Sequence, residues 1–122
     1  MKTILIVDDE KDIREFIQKK LAREKFTAIA ASSAQEALLS CKISHPDLVL
    51  LDIGLPGNDG YEVCRQLKQD NLTKDIPVLL MTGKELSIDG VTQRCEDLGA
   101  SGYITKPCST KELLEKVKEA LN

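Results

Sequence analysis

Hydrophobic residues along this chain follow two alternating patterns: short continuous apolar runs, and longer stretches with apolar positions three or four residues apart. The runs predict five β-strands, at residues 3–7, 27–31, 48–51, 78–81 and 102–105. Residues 48–51 and 78–81 are apolar on both faces, which is typical of central strands in a parallel sheet.

The stretches between the runs predict five helices, because their apolar residues recur with the period of an α-helix. The five apolar stripes are Ile13, Phe16, Ile17 and Leu21; Ala34, Ala37, Leu38 and Cys41; Val63, Cys64 and Leu67; Val91, Cys95 and Leu98; and Leu113, Leu114, Val117 and Leu121. Capping boxes at Ser33-Ala-Gln-Glu36 and Ser109-Thr-Lys-Glu112 mark the starts of the second and fifth helices. His45-Pro46 ends the second helix, and Gly99 ends the fourth.

Strands that alternate with helices predict an α/β fold of five βα units, without an internal repeat or a linker. Helical crossovers join parallel strands, and such crossovers are right-handed. We therefore expect one domain over residues 1–122, built on a doubly wound sheet of five parallel strands.

Four of the predicted strands lead into residues suited to phosphoryl chemistry. The first runs into Asp8 and Asp9, the third into Asp52, the fourth into Thr82 and the fifth into Lys106. Ligands of open α/β sheets bind beyond the carboxyl ends of the strands. The strand order that best brings these four ends together is 2-1-3-4-5, with the topological switch point between the first and third strands.

The residue types in this cluster favour a divalent metal and a phosphoryl group. Asp8 and Asp9 face Asp52, and hard oxygen ligands with retained waters suit Mg²⁺ or Mn²⁺. Asp52 can accept a phosphoryl group as an acyl phosphate, with Lys106 neutralising the charge that develops. Structural alternatives exist for each residue, such as a helix N-cap for Asp9 and a turn-initiating role for Asp52. Their joint occurrence at successive strand ends favours the phosphoryl site.

Composition argues against several classes of protein. The 122 residues carry a net charge of −3 with scattered lysines and arginines, so this segment lacks the basic face that nucleic-acid binding needs. The N-terminal apolar run is too short for a signal peptide, and no run approaches membrane-spanning length. We therefore expect a cytoplasmic protein that contacts neither nucleic acid nor membrane directly. The four cysteines form no CxxC pair and are expected to be free thiols.

The four motifs together resemble those of response-regulator receiver domains, the CheY-like phosphoacceptor modules of two-component signalling. They are Val7-Asp8-Asp9, residues 52–60 with the sequence DIGLPGNDG, Met81-Thr82-Gly83 and Tyr103-Ile-Thr-Lys-Pro107. The resemblance covers essentially the whole chain and implies the flavodoxin-like (βα)5 fold with the order 2-1-3-4-5.

By this resemblance, Asp52 takes a phosphoryl group from a sensor histidine kinase or from a His-containing phosphotransfer protein. Thr82 and Lys106 would contact the phosphoryl oxygens. Three carboxylates and one backbone carbonyl would form the Mg²⁺ set: Asp8, Asp9, Asp52 and Gly54.

The resemblance also implies a conformational switch. Thr82 would move on phosphorylation and Tyr103 would turn inward. The surface of the fourth helix, fifth strand and fifth helix would then change its affinity for a downstream protein, a linked output domain or a second copy. The peptide bond before Pro107 is expected to be cis. The span from Thr82 to Lys106 is a couple of residues longer than is usual in the family, and we assign the extra length to residues 83–90.

The main prediction is a signalling switch that does not turn substrate over. Two other functions compete with it. One is a phosphatase with an aspartate nucleophile, but that class needs a D-x-D motif, and Asp52-Ile53-Gly54 lacks it. The other is a pseudo-receiver that serves only as a protein-binding scaffold. The intact set of Asp8, Asp9, Asp52, Thr82 and Lys106 argues against the scaffold.

Overall fold

The computed structural model describes residues 1–55, 60–83, 88–106 and 108–122, with residues 88, 89 and 91 described by their backbone alone. Strands and helices alternate along the chain: β1 (Thr3–Val7), α1 (Lys11–Arg23), β2 (Thr27–Ala31), α2 (Ala34–Ser44), β3 (Leu48–Asp52), α3 (Gly60–Gln69), β4 (Val78–Thr82), α4 (Ile88–Leu98), β5 (Gly102–Thr105) and α5 (Thr110–Leu121). The strands pair in parallel in the order β2-β1-β3-β4-β5. The predicted fold class and strand order are confirmed.

The helices cover the two faces of the sheet because successive strand side chains point to opposite sides. Leu5, Val7, Val49 and Leu51 contribute to a buried cluster with α2, α3 and Cys95 of α4. Ile4, Ile6, Leu48 and Leu50 contribute to a second cluster with α1 and α5. The predicted central strands β3 and β4 are buried along their entire length.

Two helices begin at the serines that the sequence predicts. The Ser33 hydroxyl accepts a hydrogen bond from the backbone N–H of Glu36 at 3.2 Å, and the Ser109 hydroxyl accepts one from Glu112 at 3.1 Å. Each bond satisfies a backbone donor that a helix start leaves without an intrahelical partner.

The first helix excludes one structural alternative, Asp9 as its N-cap, and departs from the prediction for Phe16. Its N-cap is Glu10, which has no side-chain cap bond, so Asp9 does not cap this helix. The Phe16 side chain, predicted to face inward, is 51% exposed, and the ammonium of Lys20 lies 5.2 Å from its ring centroid. Phe16 lies at the edge of the apolar stripe, whereas Ile17 and Leu21 at its centre are buried.

A cavity of about 490 Å³ opens between α1 and the start of α5. Its lining is mostly apolar and includes Phe16, Met81, Cys108 and Leu113, with Lys106 at one end. The cavity therefore reaches from the exposed side of α1 toward the carboxyl ends of the strands.

Two predictions concern residues outside the described part of the chain. They are the cis peptide before Pro107 and the additional length assigned to residues 83–90, of which 84–87 are not described. Among the helices that are described, none combines the length and the apolar character needed to cross a membrane.

Candidate phosphoryl and metal site

The end of β1 and the end of β3 bring two buried carboxylates side by side. Val7 pairs with Leu51 in the parallel register, so Asp8 and Asp52 follow at the same edge of the sheet. Asp8 is completely buried and Asp52 is 6% exposed. Asp9, the next residue along the chain, is exposed. The sheet thus creates a crevice with two buried acids and a third at its mouth.

Lys106 joins the two buried carboxylates. Its Nζ donates to Asp8 Oδ2 at 2.9 Å and to Asp52 Oδ2 at 3.0 Å. The backbone N–H of Lys106 donates to the Thr82 carbonyl at 2.7 Å, which holds the start of the β5–α5 loop beside β4. The Lys106 side chain is only 21% exposed, and its ammonium points into the crevice between the two carboxylates.

Backbone and side-chain donors fix Asp8 from several directions. Its Oδ1 accepts from the backbone N–H of Glu10 at 2.9 Å. Its carbonyl accepts from Arg14 Nη1 at 2.8 Å. Its own N–H donates to the Ala31 carbonyl at 3.2 Å, beyond the last β1–β2 pair. The loop between β1 and α1 is therefore anchored on both sides of the acid.

Asp52 is oriented by the turn that follows it. Its Oδ1 accepts from the backbone N–H of Gly54 at 2.9 Å, the geometry of an Asx turn. Gly60 begins α3 beneath this turn, and a Cβ there would collide with the backbone of Ile53 and Asp52. Glycine at position 60 therefore allows the helix to start directly against the backbone of Asp52 and Ile53.

The electrostatics of the cluster leave excess negative charge. Burial raises the pKa of the Asp8 carboxyl, against the opposing effect of hydrogen bonds from Lys106 and Glu10. Burial by itself would lower the pKa of Lys106, but its bonds to Asp8 and Asp52 outweigh burial and raise that pKa. Lys106 is therefore a permanent cation at neutral pH. One ammonium cannot neutralise three carboxylates, so the site favours a further cation.

The donor set fits a small, hard divalent metal ion. Among the described residues, Asp8, Asp9 and Asp52 each offer a carboxylate oxygen, and the three oxygens lie within 4.8 Å of one another. Mg²⁺ is bound in proteins through a few carboxylates while it keeps several waters. The exposed position of Asp9 leaves room for such waters. The carbonyl of Gly54 as a fourth protein ligand stays a prediction.

Thr82 and Tyr103, the two residues of the predicted switch, lie on the neighbouring strands β4 and β5. Thr82 is the last residue of β4, is 1% exposed and pairs with Thr105 of β5. Tyr103 is half-buried and packs against the cluster formed with α2, α3 and Cys95. The contact of the Thr82 hydroxyl with a phosphoryl group stays a prediction.

Sequence reasoning missed two residues that shape the site, Arg14 and Gly60. Arg14 acts on a backbone carbonyl, which no pattern of side chains reveals. Gly60 belonged to a quoted motif but received no role, although a glycine at a loop-to-helix junction can signal close backbone approach.

The four cysteines play no part in this cluster. All four are free thiols, and Cys41, Cys64 and Cys95 are buried. Cys64 and Cys95 pack in the same buried cluster, as predicted for small core residues.

Comparison with known proteins identifies the family. The family model for the response regulator receiver domain matches residues 4–118, and the chain belongs to this family. It is 43% identical to the phosphate regulon transcriptional regulatory protein PhoB of Pseudomonas aeruginosa over 123 residues, which cover 98% of this chain and 52% of PhoB. It is 42% identical to the alkaline phosphatase synthesis transcriptional regulatory protein PhoP of Bacillus subtilis, over 98% of this chain and 48% of PhoP.

The chain therefore spans about half the length of these two curated relatives. Among solved structures, it is similar to a CheY-like response regulator receiver domain protein from Methanospirillum hungatei. The two chains are 32% identical with a TM-score of 0.89, over 99% of this chain and 94% of the other. Family, fold and site geometry agree.

Proposed function

We propose that this chain is a phosphoacceptor switch in which Asp52 receives the phosphoryl group. The observation that carries the proposal is the position of Lys106, whose ammonium is bonded to both Asp8 and Asp52 at the end of the sheet. This arrangement presents a buried carboxylate nucleophile next to a fixed positive charge. It is the geometry that stabilises charge developing on a phosphoryl group.

In the proposed reaction, a carboxylate oxygen of Asp52 attacks the phosphorus atom of the donor. A bond from oxygen to phosphorus forms, the bond from phosphorus to the donor's leaving nitrogen or oxygen breaks, and the leaving group keeps that electron pair. The product is an acyl phosphate on Asp52. The ammonium of Lys106 has three N–H donors, so it can contact a phosphoryl oxygen while it retains a carboxylate.

Mg²⁺ or Mn²⁺ would be held by Asp8, Asp9, Asp52 and the carbonyl of Gly54, and would supply positive charge to the phosphoryl oxygens. Thr82, at the buried end of β4, would donate its hydroxyl to the same oxygens. To make this hydrogen bond, the Thr82 side chain would move toward the phosphoryl group. The space that it leaves would allow the half-buried Tyr103 to turn inward.

The donors and receivers of the signal are proposed from the family. A sensor histidine kinase or a His-containing phosphotransfer protein would supply the phosphoryl group. The face formed by α4, β5 and α5 would pass the change to a downstream protein, to a linked output domain or to a second copy. PhoB and PhoP are transcriptional regulatory proteins about twice as long as this chain, which supports a linked output domain.

We also propose that residues 1–122 act as one receiver domain and do not themselves bind nucleic acid, since their net charge is −3. The free thiols suit a reducing compartment such as the cytoplasm. The chain would not be a turnover enzyme. It would assist only its own phosphorylation and slow dephosphorylation.

Incubation with acetyl phosphate and Mg²⁺, followed by intact-mass measurement and an assay for free phosphate, tests the proposal. A phosphoacceptor gains one phosphate and then loses it slowly. Continuous release of phosphate far beyond the amount of protein would identify a phosphatase instead. Neither uptake nor release would leave only the scaffold function.

A further inference from the structure

The orientation of Asp9 depends on the backbone that precedes it. Asp9 is exposed, and within the described ranges we find no hydrogen bond to its carboxylate. A free side chain of this kind would have to be ordered anew each time a metal ion binds. The peptide group between Asp8 and Asp9 therefore determines how well the third carboxylate is aimed at the other two.

Arg14 holds that peptide group. Its Nη1 donates to the carbonyl of Asp8 at 2.8 Å, and this carbonyl shares one plane with the N–H of Asp9. Arg14 is half-buried, and its own backbone N–H donates to Glu10 at 3.0 Å in the first turn of α1. The guanidinium is thus attached to a rigid helix, and through it the helix fixes the direction in which the chain enters Asp9.

The choice of arginine is physically reasonable at this position. A guanidinium is always charged and less strongly hydrated than an ammonium, so it can be half-buried and still donate a strong bond. Its charge also lies next to the acidic loop, although it forms no ion pair with Asp8 or Asp9 among the described residues. The neutral carbonyl of Asp8 is its partner, so Arg14 does not compete with a metal ion for either carboxylate.

We propose that Arg14 is a positioning residue for the metal and phosphoryl site, acting through the Asp8–Asp9 peptide. The inference rests on the proposed function, since the site that Arg14 positions is the proposed phosphoacceptor site. Loss of the guanidinium would leave Asp8 in place, because Glu10 and Lys106 still hold its carboxylate. Asp9 would lose its fixed direction, and Mg²⁺ binding and phosphorylation would both weaken.

The test compares Arg14→Met, which keeps the aliphatic stem, with Arg14→Lys, which keeps a charge and a donor. Arg23→Met is the matched control, because Arg23 is exposed on the same helix. Mg²⁺ titration of ¹⁵N-labelled protein, followed through amide chemical shifts well below the unfolding temperature, gives the Kd and reports on the Asp9 amide directly. The rate of phosphorylation by acetyl phosphate is measured in parallel.

We expect Arg14→Met to weaken Mg²⁺ binding roughly 10-fold, the usual size of an effect exerted through a ligand's supporting partner. The Asp9 amide should shift in the metal-free protein, and Arg14→Lys should recover most of the affinity. Arg23→Met should behave as wild type. An Arg14→Met protein with the wild-type Kd and an unmoved Asp9 amide would overturn the inference, even if its thermal midpoint fell, and so would an equal loss in Arg23→Met.

Failure of this inference differs from failure of the proposed function. If the wild-type protein binds Mg²⁺ and takes up phosphate while Arg14→Met matches it, only the role of Arg14 is wrong. If the wild-type protein does neither, both proposals are wrong.

Discussion

At the scale of single residues, the contacts of Lys106 determine how two buried carboxylates coexist at one strand edge. Its ammonium lies 2.9 Å from Asp8 and 3.0 Å from Asp52. Burial of an unpaired carboxylate is costly, and a shared ammonium offsets part of that cost. The remaining charge makes the metal-free site electrostatically unfavourable, and that is the physical reason for expecting a metal ion there.

Asp9→Asn should therefore separate metal binding from folding. The variant removes one like charge from the cluster, so the metal-free protein should unfold at a slightly higher temperature. Its affinity for Mg²⁺ should fall about 10-fold or more, since a direct ligand matters at least as much as its supporting partners. Thermal unfolding in EDTA and in a series of Mg²⁺ concentrations measures both effects.

Asp75→Asn is the control for this change. Asp75 is exposed and precedes β4, at the opposite edge of the sheet from the site. If Asp9→Asn shows the same Mg²⁺-induced stabilisation as wild type and Asp75→Asn, Asp9 is not a ligand.

The buried cysteines give a prediction with a defined pH window. Burial raises the pKa of Cys41 and of Cys64 from 9.0 to about 11, so the folded state holds the thiol protons more tightly than the unfolded state does. This contribution to the free energy of unfolding is complete below pH 9 and is lost as the pH rises through about 11. Urea unfolding at pH 8 and pH 10.5 measures this loss. Between these two pH values, the free energy of unfolding should decrease more in wild type than in Cys41→Ala.

Alkylation gives an independent check on the same thiols. In native protein at pH 8, iodoacetamide should modify the half-buried Cys108 first, whereas Cys41 and Cys64 should react only after unfolding in urea. Peptide mapping identifies the modified residue. Equal native rates for Cys41 and Cys108 would contradict the burial of Cys41.

The site residues that could be predicted from sequence are those at the carboxyl ends of strands. Asp8, Asp52, Thr82 and Lys106 follow apolar runs, and parallel strands bring such endings together. The contact of Arg14 with Asp8 was not predictable, because the partner of its guanidinium is a backbone carbonyl. By sequence alone, Lys11 could have reached that carbonyl as well as Arg14 could, because both are cationic donors in the first turns of α1.

At the scale of elements, two of the strands that carry the site, β3 and β4, are one residue longer than their apolar runs. The sequence predicts strands at 48–51 and 78–81, whereas β3 ends at Asp52 and β4 ends at Thr82. Asp52 pairs with Met81 in the ladder. The two polar residues are therefore held by sheet hydrogen bonds rather than by a loop, which gives them fixed positions relative to Lys106.

Helix faces were less predictable than strands. The stripe of α1 includes Phe16 by spacing, yet the ring is 51% exposed. Spacing shows which residues share a side of a helix but not how much of that side the neighbouring elements cover. In this fold, the cavity between α1 and α5 leaves Phe16 partly exposed to solvent.

Coupling between elements leads to a prediction for α4 and β5. The Arg94 guanidinium of α4 lies 4.4 Å from the ring centroid of Tyr61 in α3, and Tyr103 of β5 packs against the cluster that includes Cys95. Beryllofluoride, as a mimic of the phosphoryl group, should therefore change amide hydrogen exchange in residues 88–98 and 102–106. A phosphoryl group adds negative charge and strong hydrogen-bond acceptors. These would shift the balance between two conformations of α4 and β5.

Hydrogen exchange with and without beryllofluoride, followed by mass spectrometry, measures this effect. The Asp52→Asn variant is the control, and it should show no change. Effects confined to residues 52–55, with 88–98 and 102–106 silent in the wild type, would contradict the switch and leave phosphoacceptance intact.

At the scale of the whole molecule, the strand order explains why distant parts of the sequence meet. The sheet order places β1, β3, β4 and β5 side by side. The residues at the carboxyl ends of these four neighbouring strands therefore meet: Asp8, Asp52, Thr82 and Lys106. The crevice restricts the order to a few arrangements that bring those four endings together, and the resemblance to receiver domains selects 2-1-3-4-5 among them. What this domain regulates was not predictable from its fold, since a fold positions a site but does not name its partner.

The central claim is that Asp52 alone accepts the phosphoryl group, and intact-mass measurement after treatment with acetyl phosphate and Mg²⁺ tests it most directly. Wild type and Asp75→Asn should each gain the mass of one phosphate. Asp52→Asn is nearly isosteric, so it should fold with a similar thermal midpoint and gain none. Equal phosphate uptake by folded Asp52→Asn would contradict the account.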